Sequence, residues 1–144
     1  MHDLPRQLSG EELAELFEGK TALVAHLAEH ANPLEAADEV IAGLTEAEKL
    51  EALNAHPAIG ARKLSARSAA EQGADDDPET LAELERLNRE YEQRFGFRFV
   101  VFVNRRPKSE IVTILRERLE RSRAEELDTA LRELVAIARD RWEH

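Results

Sequence analysis

Three copies of one helix-start signal constrain the fold of this chain more than any other feature. A hydroxyl residue is followed three positions later by glutamate in Ser9-Gly10-Glu11-Glu12, in Thr45-Glu46-Ala47-Glu48 and in Ser122-Arg123-Ala124-Glu125. In this capping box the hydroxyl and the carboxylate each accept a hydrogen bond from a backbone N–H group that the first turn of a helix leaves unpaired. The sequence therefore predicts helices that begin at three widely spaced points.

Prolines and apolar periodicity extend this prediction to most of the chain. Pro33, Pro78 and Pro107 suit the first turn of a helix, where the missing N–H has no intrahelical partner to lose. Near the carboxyl end, apolar side chains recur at three- and four-residue steps, at Leu127, Leu131, Leu134, Ala138 and Trp142. The predicted helices are 9–18, 20–30, 33–43, 45–56, 78–95, 107–120 and 122–142, with a short irregular helix at 67–73.

Residues 97–103, Phe-Arg-Phe-Val-Val-Phe-Val, are β-branched and aromatic with almost no polar interruption. Propensity alone indicates a buried strand, but the surrounding helices leave it no sheet partner. We therefore expect an extended segment buried among helices. The predicted fold is an all-α bundle of about seven to eight helices, and a length of 144 residues indicates one domain, 1–144.

Composition excludes several classes of function. The chain has no cysteine, which excludes disulfides and thiolate nucleophiles, and its formal net charge of −10 argues against binding to nucleic acid. No run approaches the roughly eighteen apolar residues that span a bilayer, and the first residues lack the apolar stretch of a secretion signal. We expect a cytoplasmic protein without a membrane segment.

His56 precedes Pro57, and the proline ring disfavours helical geometry at the residue before it, so the 45–56 helix should end there. The imidazole would then lie at a helix carboxyl end, whose partial negative charge favours the protonated form. One interpretation is a general acid that holds and delivers a proton near neutral pH. The other is a histidine that only caps the last turn.

Ser68-Ala69-Ala70-Glu71 is a fourth capping-box pattern, and Gln72 follows it directly. A helix start explains the pattern completely. The alternative is that Glu71 works beside His56. The cations between the two motifs, Arg62, Lys63 and Arg67, form either a solvated helix face or a cluster that attracts an anionic substrate. Arg105, Arg106, Lys108, Arg121 and Arg123 offer the same positive charge.

The motifs Ala55-His56-Pro57, Ser68-x-x-Glu71-Gln72 and Phe95-Gly96-Phe97-x-Phe99 occur in this order, and in this they resemble the 2-oxo-4-hydroxy-4-carboxy-5-ureidoimidazoline (OHCU) decarboxylase family. The resemblance implies an all-α fold, a homodimer, and decarboxylation of OHCU to (S)-allantoin and CO2 in urate degradation. It assigns catalysis to His56 and Glu71. It assigns binding of the small anionic substrate to Pro57, Ser68, Gln72, Phe99, Val100, Val101, Phe102 and Val103.

Two departures from the family pattern bear on the substrate. Many members carry Ser-Pro-Trp after Phe-Glu, where this chain continues from Phe17-Glu18 into Gly19-Lys20-Thr21-Ala22, and many have aspartate after His-Pro, where this chain has Ala58. Two alternatives therefore stay open. One is a binding homologue without turnover, and the other is an acid/base enzyme that acts on another small carboxylated ureido heterocycle.

His26 and His30 lie four residues apart on a predicted helix, which raises the question of a metal site. The sequence supplies no third ligand at a suggestive spacing, and Glu29 does not fit the His-Glu-x-x-His pattern of zinc proteases. No glycine-rich phosphate loop or nucleotide fingerprint occurs either. We expect neither a metal nor an organic cofactor.

Overall fold

The computed structural model describes residues 9–56 and 78–143. Seven helices lie in these ranges: α1 (Gly10–Leu16), α2 (Ala22–Leu27), α3 (Ala37–Ala42), α4 (Glu46–Ala55), α5 (Pro78–Phe95), α6 (Lys108–Leu119) and α7 (Arg123–Glu143). No strand occurs in the described residues, and the all-α prediction is confirmed. The helix expected at 67–73 lies outside them.

All three predicted helix starts are present as complete capping boxes. The Ser9 and Thr45 hydroxyls each accept a hydrogen bond from a glutamate N–H at 3.1 Å, at Glu12 and Glu48. The two carboxylates accept in return from the Ser9 and Thr45 N–H groups at 3.0 and 2.9 Å. Ser122 and Glu125 repeat the exchange before α7, at 3.1 Å in both directions. These local signals set where the helices begin.

Pro33 does not begin a helix, which corrects one prediction. Residues 33–35 form a turn in which the Ala36 N–H donates to the Asn32 carbonyl at 3.1 Å, and α3 begins only at Ala37. Ala36 has no side-chain oxygen to cap the helix. Helix α2 is also shorter than expected, because its end tightens into three-residue hydrogen bonds such as His30 N–H to Leu27 O, 3.0 Å.

The described residues form two compact units that divide after His56 and again within α7, between Ala130 and Leu131. The prediction of one domain over 1–144 stays a prediction. In the first unit, residues 9–56 and 131–143, helix α2 packs against α1, α3 and α4. Two arginines of α7 fasten loops of this unit, since Arg139 donates to the Leu34 carbonyl at 2.9 Å and Arg141 to the Leu16 carbonyl at 3.0 Å.

In the second unit, residues 78–130, helix α5 packs against α6 and leads into the predicted extended segment. Helix α5 ends at Gly96, which has a φ of +81°, a backbone conformation that glycine adopts without steric cost. Residues 97–103 then form neither helix nor strand. Most of their side chains are buried, namely those of Phe97, Phe99, Val100, Val101 and Val103. The prediction of a buried non-helical segment is confirmed.

Candidate active site

His56 ends helix α4, as the following proline predicts. Its backbone is extended, with φ −79° and ψ 135°, and its N–H donates to the Leu53 carbonyl at 3.3 Å. The residue is only 7% exposed. The imidazole is therefore shielded from bulk water at the helix end that carries partial negative charge.

The loop between α1 and α2 lies against the last turn of α4, directly before His56. A Cβ atom built on Gly19 would come within 3.2 Å of the Ala55 Cβ, so glycine is what permits this close approach. Glu18, in a left-handed conformation with φ 64°, forms an ion pair with the buried Arg141 at 3.0 Å. The loop that departs from the Ser-Pro-Trp pattern is therefore held rigidly beside the candidate catalytic histidine.

The 97–103 segment brings five of the predicted substrate-binding residues together in one run. Phe99 is buried in an aromatic cluster, where its ring meets Tyr91 edge-on with the ring centres 5.2 Å apart. Val100, Val101 and Val103 are also buried, and Phe102 is half-buried. No residue in the described parts of the chain accepts a hydrogen bond from the Val101 N–H group.

Arginines bind the carbonyl groups of this segment and of the residues beside it, in place of a neighbouring strand. Arg123 donates to the Phe95 carbonyl at 2.9 Å, and Arg118 donates to the Val100 carbonyl at 2.8 Å. Arg106 donates to the Val103 carbonyl at 3.0 Å and also to that of Phe102. Guanidinium groups thus satisfy the carbonyl oxygens of Val100, Phe102 and Val103, which a neighbouring strand would satisfy in a sheet.

The segment contacts a buried ion cluster, formed by Glu126, Arg118, Arg121 and Tyr91, through Arg118. The Glu126 carboxylate, fully buried, accepts from Arg118 Nε at 2.7 Å and from the Tyr91 hydroxyl at 2.6 Å through one oxygen. Its second oxygen accepts from Arg121 Nη1 at 2.9 Å. Burial, reinforced by the hydrogen bond to Glu126, raises the pKa of Tyr91 above its ordinary value, so the phenol stays a proton donor.

The sequence motifs do not reveal this cluster, because Glu126 and Arg118 lie on apolar helix faces and in no motif. Glu126 and Arg141 continue the buried face of α7 that runs through Ala130, Leu134 and Ile137 at three- and four-residue steps. Arg118 continues the buried face of α6 in the same way, after Ile111 and Leu115. A charged residue in register with an apolar stripe was the available signal.

The other predicted site residues lie outside the described residues. These are Pro57, Ser68, Glu71 and Gln72, together with the cations Arg62, Lys63 and Arg67. Among the remaining candidate cations, Arg106, Arg121 and Arg123 bind groups of the protein itself, and Lys108 is buried at the start of α6. Arg105 lies in a turn with φ 62°.

The described residues contain no group of three or more histidine, aspartate or glutamate side chains that could hold a metal ion. His26 instead lies beside two carboxylates at the surface, 3.8 Å from Glu29 and 3.9 Å from Glu48. In the same parts of the chain, no helix is both long and apolar enough to cross a membrane.

Comparison with known proteins gives a consistent result. The family model described as OHCU decarboxylase matches residues 3–143. A 2-oxo-4-hydroxy-4-carboxy-5-ureidoimidazoline decarboxylase of Haloferax volcanii is 33% identical over 127 residues, which are 80% of this chain and 76% of that protein. A protein of the same description from Halalkalicoccus jeotgali is 35% identical over 104 residues, 69% of this chain and 59% of that protein.

Two crystal structures share the fold. An OHCU decarboxylase solved in the presence of (S)-allantoin superposes with a TM-score of 0.76 at 24% identity, over 90% of this chain and 94% of that one. An (S)-allantoin synthase superposes with a TM-score of 0.67 at 20% identity, over 92% of this chain and 47% of that one. At these identities the likeness concerns the fold alone.

Proposed function

The chain belongs to the OHCU decarboxylase family, and from this membership we propose that it converts OHCU to (S)-allantoin and CO2 in urate degradation. The observation that carries the proposal is the match of the OHCU decarboxylase family model to residues 3–143. The enzyme is accordingly a carboxy-lyase. Its substrate is a small anion.

Loss of CO2 breaks the bond between the ring carbon and the carboxylate, and the bonding electron pair stays on the ring. The ring carbonyl and imine can delocalise this charge, which is why the proposed reaction uses neither a metal nor an organic cofactor. We assign to His56 the delivery of a proton to one face of the resulting carbanion. The imidazole is left neutral and recovers its proton from solvent, so protons and charge balance.

The surroundings of His56 support this role. The end of α4 favours the imidazolium, and burial keeps most water away from a carbanion that any proton donor would quench without stereochemical control. We propose that Glu71 stabilises the imidazolium and orients it. One-sided protonation by a fixed donor is what would make the product a single enantiomer.

For substrate binding we propose the wall formed by Phe99, Val100, Val101, Phe102 and Val103, with Pro57, Ser68 and Gln72. Burial of the segment and the Val101 N–H group, which has no acceptor among the described residues, support this role. A flat heterocycle rich in carbonyl and N–H groups suits an apolar wall with backbone polar groups.

We further propose a cytoplasmic homodimer that binds no nucleic acid. The formal net charge of −10 supports the last point, because contact with phosphates requires a basic surface. A closed two-fold dimer is the commonest symmetric assembly of soluble proteins. Light scattering during gel filtration measures the oligomeric state directly.

The decisive experiment generates OHCU from urate in the presence of the purified protein and follows optical activity. Uncatalysed decay takes place in an achiral medium and gives racemic allantoin. We expect the protein to produce (S)-allantoin in excess at a rate proportional to its concentration. A racemic product at the rate of the protein-free control would contradict the proposal.

A second candidate is an enzyme for another carboxylated ureido heterocycle, and one observation favours it. The loop that replaces Ser-Pro-Trp, with Gly19 against Ala55, adjoins the candidate histidine and lacks the large aromatic side chain. An altered wall there would admit a different ring substituent. Turnover of such an analogue at a higher kcat/KM than OHCU would favour this second function.

A further inference from the structure

Arg118 connects the middle of the 97–103 segment to the buried ion cluster. Its Nη1 donates to the Val100 carbonyl at 2.8 Å, and its Nε donates to Glu126 at 2.7 Å. Its guanidinium carbon lies 4.6 Å from the centre of the Phe99 ring, within cation–π range. One side chain therefore contacts the backbone and the side chain of two adjacent residues in the segment.

Glu126, the carboxylate partner of Arg118, is itself held in place by further hydrogen bonds. Glu126 is fully buried and is also held by the Tyr91 hydroxyl and by Arg121. The Arg118 side chain is only 7% exposed, and its Nη2 is buried with no hydrogen-bond partner among the described residues. Its contacts with the 97–103 segment are those with the Val100 carbonyl and the Phe99 ring.

The geometry of the peptide bond gives this contact a direction. The Val100 carbonyl and the Val101 N–H belong to one planar trans peptide unit, and in such a unit the two groups point to opposite sides. By fixing the carbonyl toward the ion cluster, Arg118 fixes the N–H away from it. This is the N–H for which the described residues provide no acceptor.

We propose that Arg118 is a positioning residue for substrate binding, which aims the Val101 N–H at an oxygen acceptor of the substrate. The inference rests on the proposed function, because the acceptor is a carbonyl or carboxylate oxygen of a ureidoimidazoline. Arginine suits the task because its planar fork keeps two separate hydrogen bonds and a ring contact at once, which the single ammonium of lysine cannot reproduce.

Arg118→Lys tests the proposal against the matched control Tyr91→Phe. The control removes one hydrogen bond from the same Glu126 carboxylate but leaves the Val100 contact and the aromatic ring in place. For Arg118→Lys we expect KM for OHCU to rise by about tenfold or more while kcat changes by less than about threefold, the signature of lost binding in both ground and transition state. For Tyr91→Phe we expect wild-type KM.

Hydrogen exchange of a peptide that covers residues 97–103 provides a second measurement, without substrate. We expect about tenfold faster exchange in Arg118→Lys and wild-type exchange in Tyr91→Phe. Wild-type KM and exchange in Arg118→Lys would overturn the inference, as would an equal rise in KM in Tyr91→Phe. In both cases the wild-type enzyme still turns over OHCU. Absence of turnover by the wild type would instead overturn the proposed function.

A double variant covers the case in which Arg118→Lys does not fold. Arg118→Met combined with Glu126→Gln removes both buried charges together, and the glutamine still accepts from Tyr91 and Arg121. Replacing both members of a buried pair is far better tolerated than removing one. The same rise in KM is expected, and a normal KM in this folded variant would refute the role of Arg118.

Discussion

At the scale of single residues, the backbone position of His56 is fixed by local features of the chain. Its N–H closes the last turn of α4 by donating to Leu53, and the following Pro57 prevents continuation. The glutamine side chain is similar in size and cannot serve as a general acid near neutral pH. His56→Gln therefore separates the catalytic interpretation from the capping one.

We expect His56→Gln to lower OHCU turnover by at least about a hundredfold with a thermal midpoint close to wild type, because losing a general acid costs about this much. His26→Gln is the matched control, since His26 is half-exposed on α2. It should retain wild-type turnover. A His56→Gln enzyme that folds normally and remains fully active would assign the histidine to the helix end alone.

Glu71→Gln makes the same distinction for the second proposed catalytic residue. Glutamine keeps an oxygen that can accept a capping hydrogen bond but removes the charge. If Glu71 stabilises the protonated His56, the variant should lose about 2 to 4 kcal/mol of transition-state stabilisation, seen as a fall in turnover of tens- to a thousandfold. Circular dichroism should show an unchanged thermal midpoint, and near-normal kinetics would assign Glu71 to a helix start.

The sequence alone was sufficient to predict features with local causes, but it was insufficient to predict which buried charged residues pair. His56 could be placed at a helix end because the Pro57 ring acts on the residue next to it. Arg118 and Glu126 could not be recognised, because an arginine and a glutamate eight positions apart form a buried pair only when two helices and the 97–103 segment converge. The roles proposed for Glu71 and Gln72 rest on the sequence motif alone.

At the scale of elements, helix starts could be predicted because a capping box contains both hydrogen-bond partners within four residues. Pro33 was predicted wrongly for the complementary reason. A proline tolerates a helix start but does not create one, and Ala36 provides no side-chain cap before α3. The 97–103 segment was predicted from the shortage of sheet partners, whereas the arginines that satisfy its carbonyls come from distant positions.

Substitution of Gly96 tests whether the end of helix α5 depends on the positive φ of this residue. A Cβ at Gly96 or at Gly10 would meet no atom within 4 Å, but only Gly96 has a positive φ, +81°. Gly96→Ala should therefore lower the free energy of unfolding by about 1 kcal/mol through backbone strain alone. Gly10→Ala should leave it unchanged or raise it by about 0.5 kcal/mol. Urea denaturation measures both, and equal effects would contradict the assignment.

Two capping-box carboxylates link helix starts to pH. Backbone hydrogen bonds from Thr45 and Ser122 lower the pKa values of Glu48 and Glu125, respectively. A carboxyl group with a lowered folded-state pKa stabilises the fold above its unfolded pKa, about 4.3, and loses that contribution as the pH falls through the folded value. These two helix starts should therefore weaken in acid below about pH 4.

Glu48→Gln should flatten this part of the acid response, because the amide accepts the cap hydrogen bond without titrating. Glu46→Gln is the control, since it removes the same charge from the same first turn while Glu48 continues to accept from Thr45. As the pH is lowered from neutral to about pH 3, the urea midpoint should fall less steeply for Glu48→Gln than for the control. Identical acid responses would refute the link.

At the scale of the whole molecule, the chemistry of the side chains available limits how the reaction can be assisted. The chain has five histidines and no cysteine, and its described parts contain no group of three or more histidine, aspartate or glutamate side chains that could hold a metal ion. Stable catalytic metal sites use about three protein ligands, most often histidine, cysteine or carboxylate. We therefore assign charge stabilisation to the substrate ring and proton delivery to His56.

This assignment predicts that OHCU turnover survives exhaustive dialysis against EDTA and needs no added cofactor. The assay follows (S)-allantoin formation before and after dialysis, with a known zinc enzyme treated in parallel to prove that chelation was complete. The rate should be unchanged, because an imidazolium and a delocalising ring supply all the stabilisation that the proposed steps require. Loss of activity that zinc or manganese restores would contradict this. In that case His26 and His30, which lie four residues apart, would be candidate metal ligands together with a third side chain.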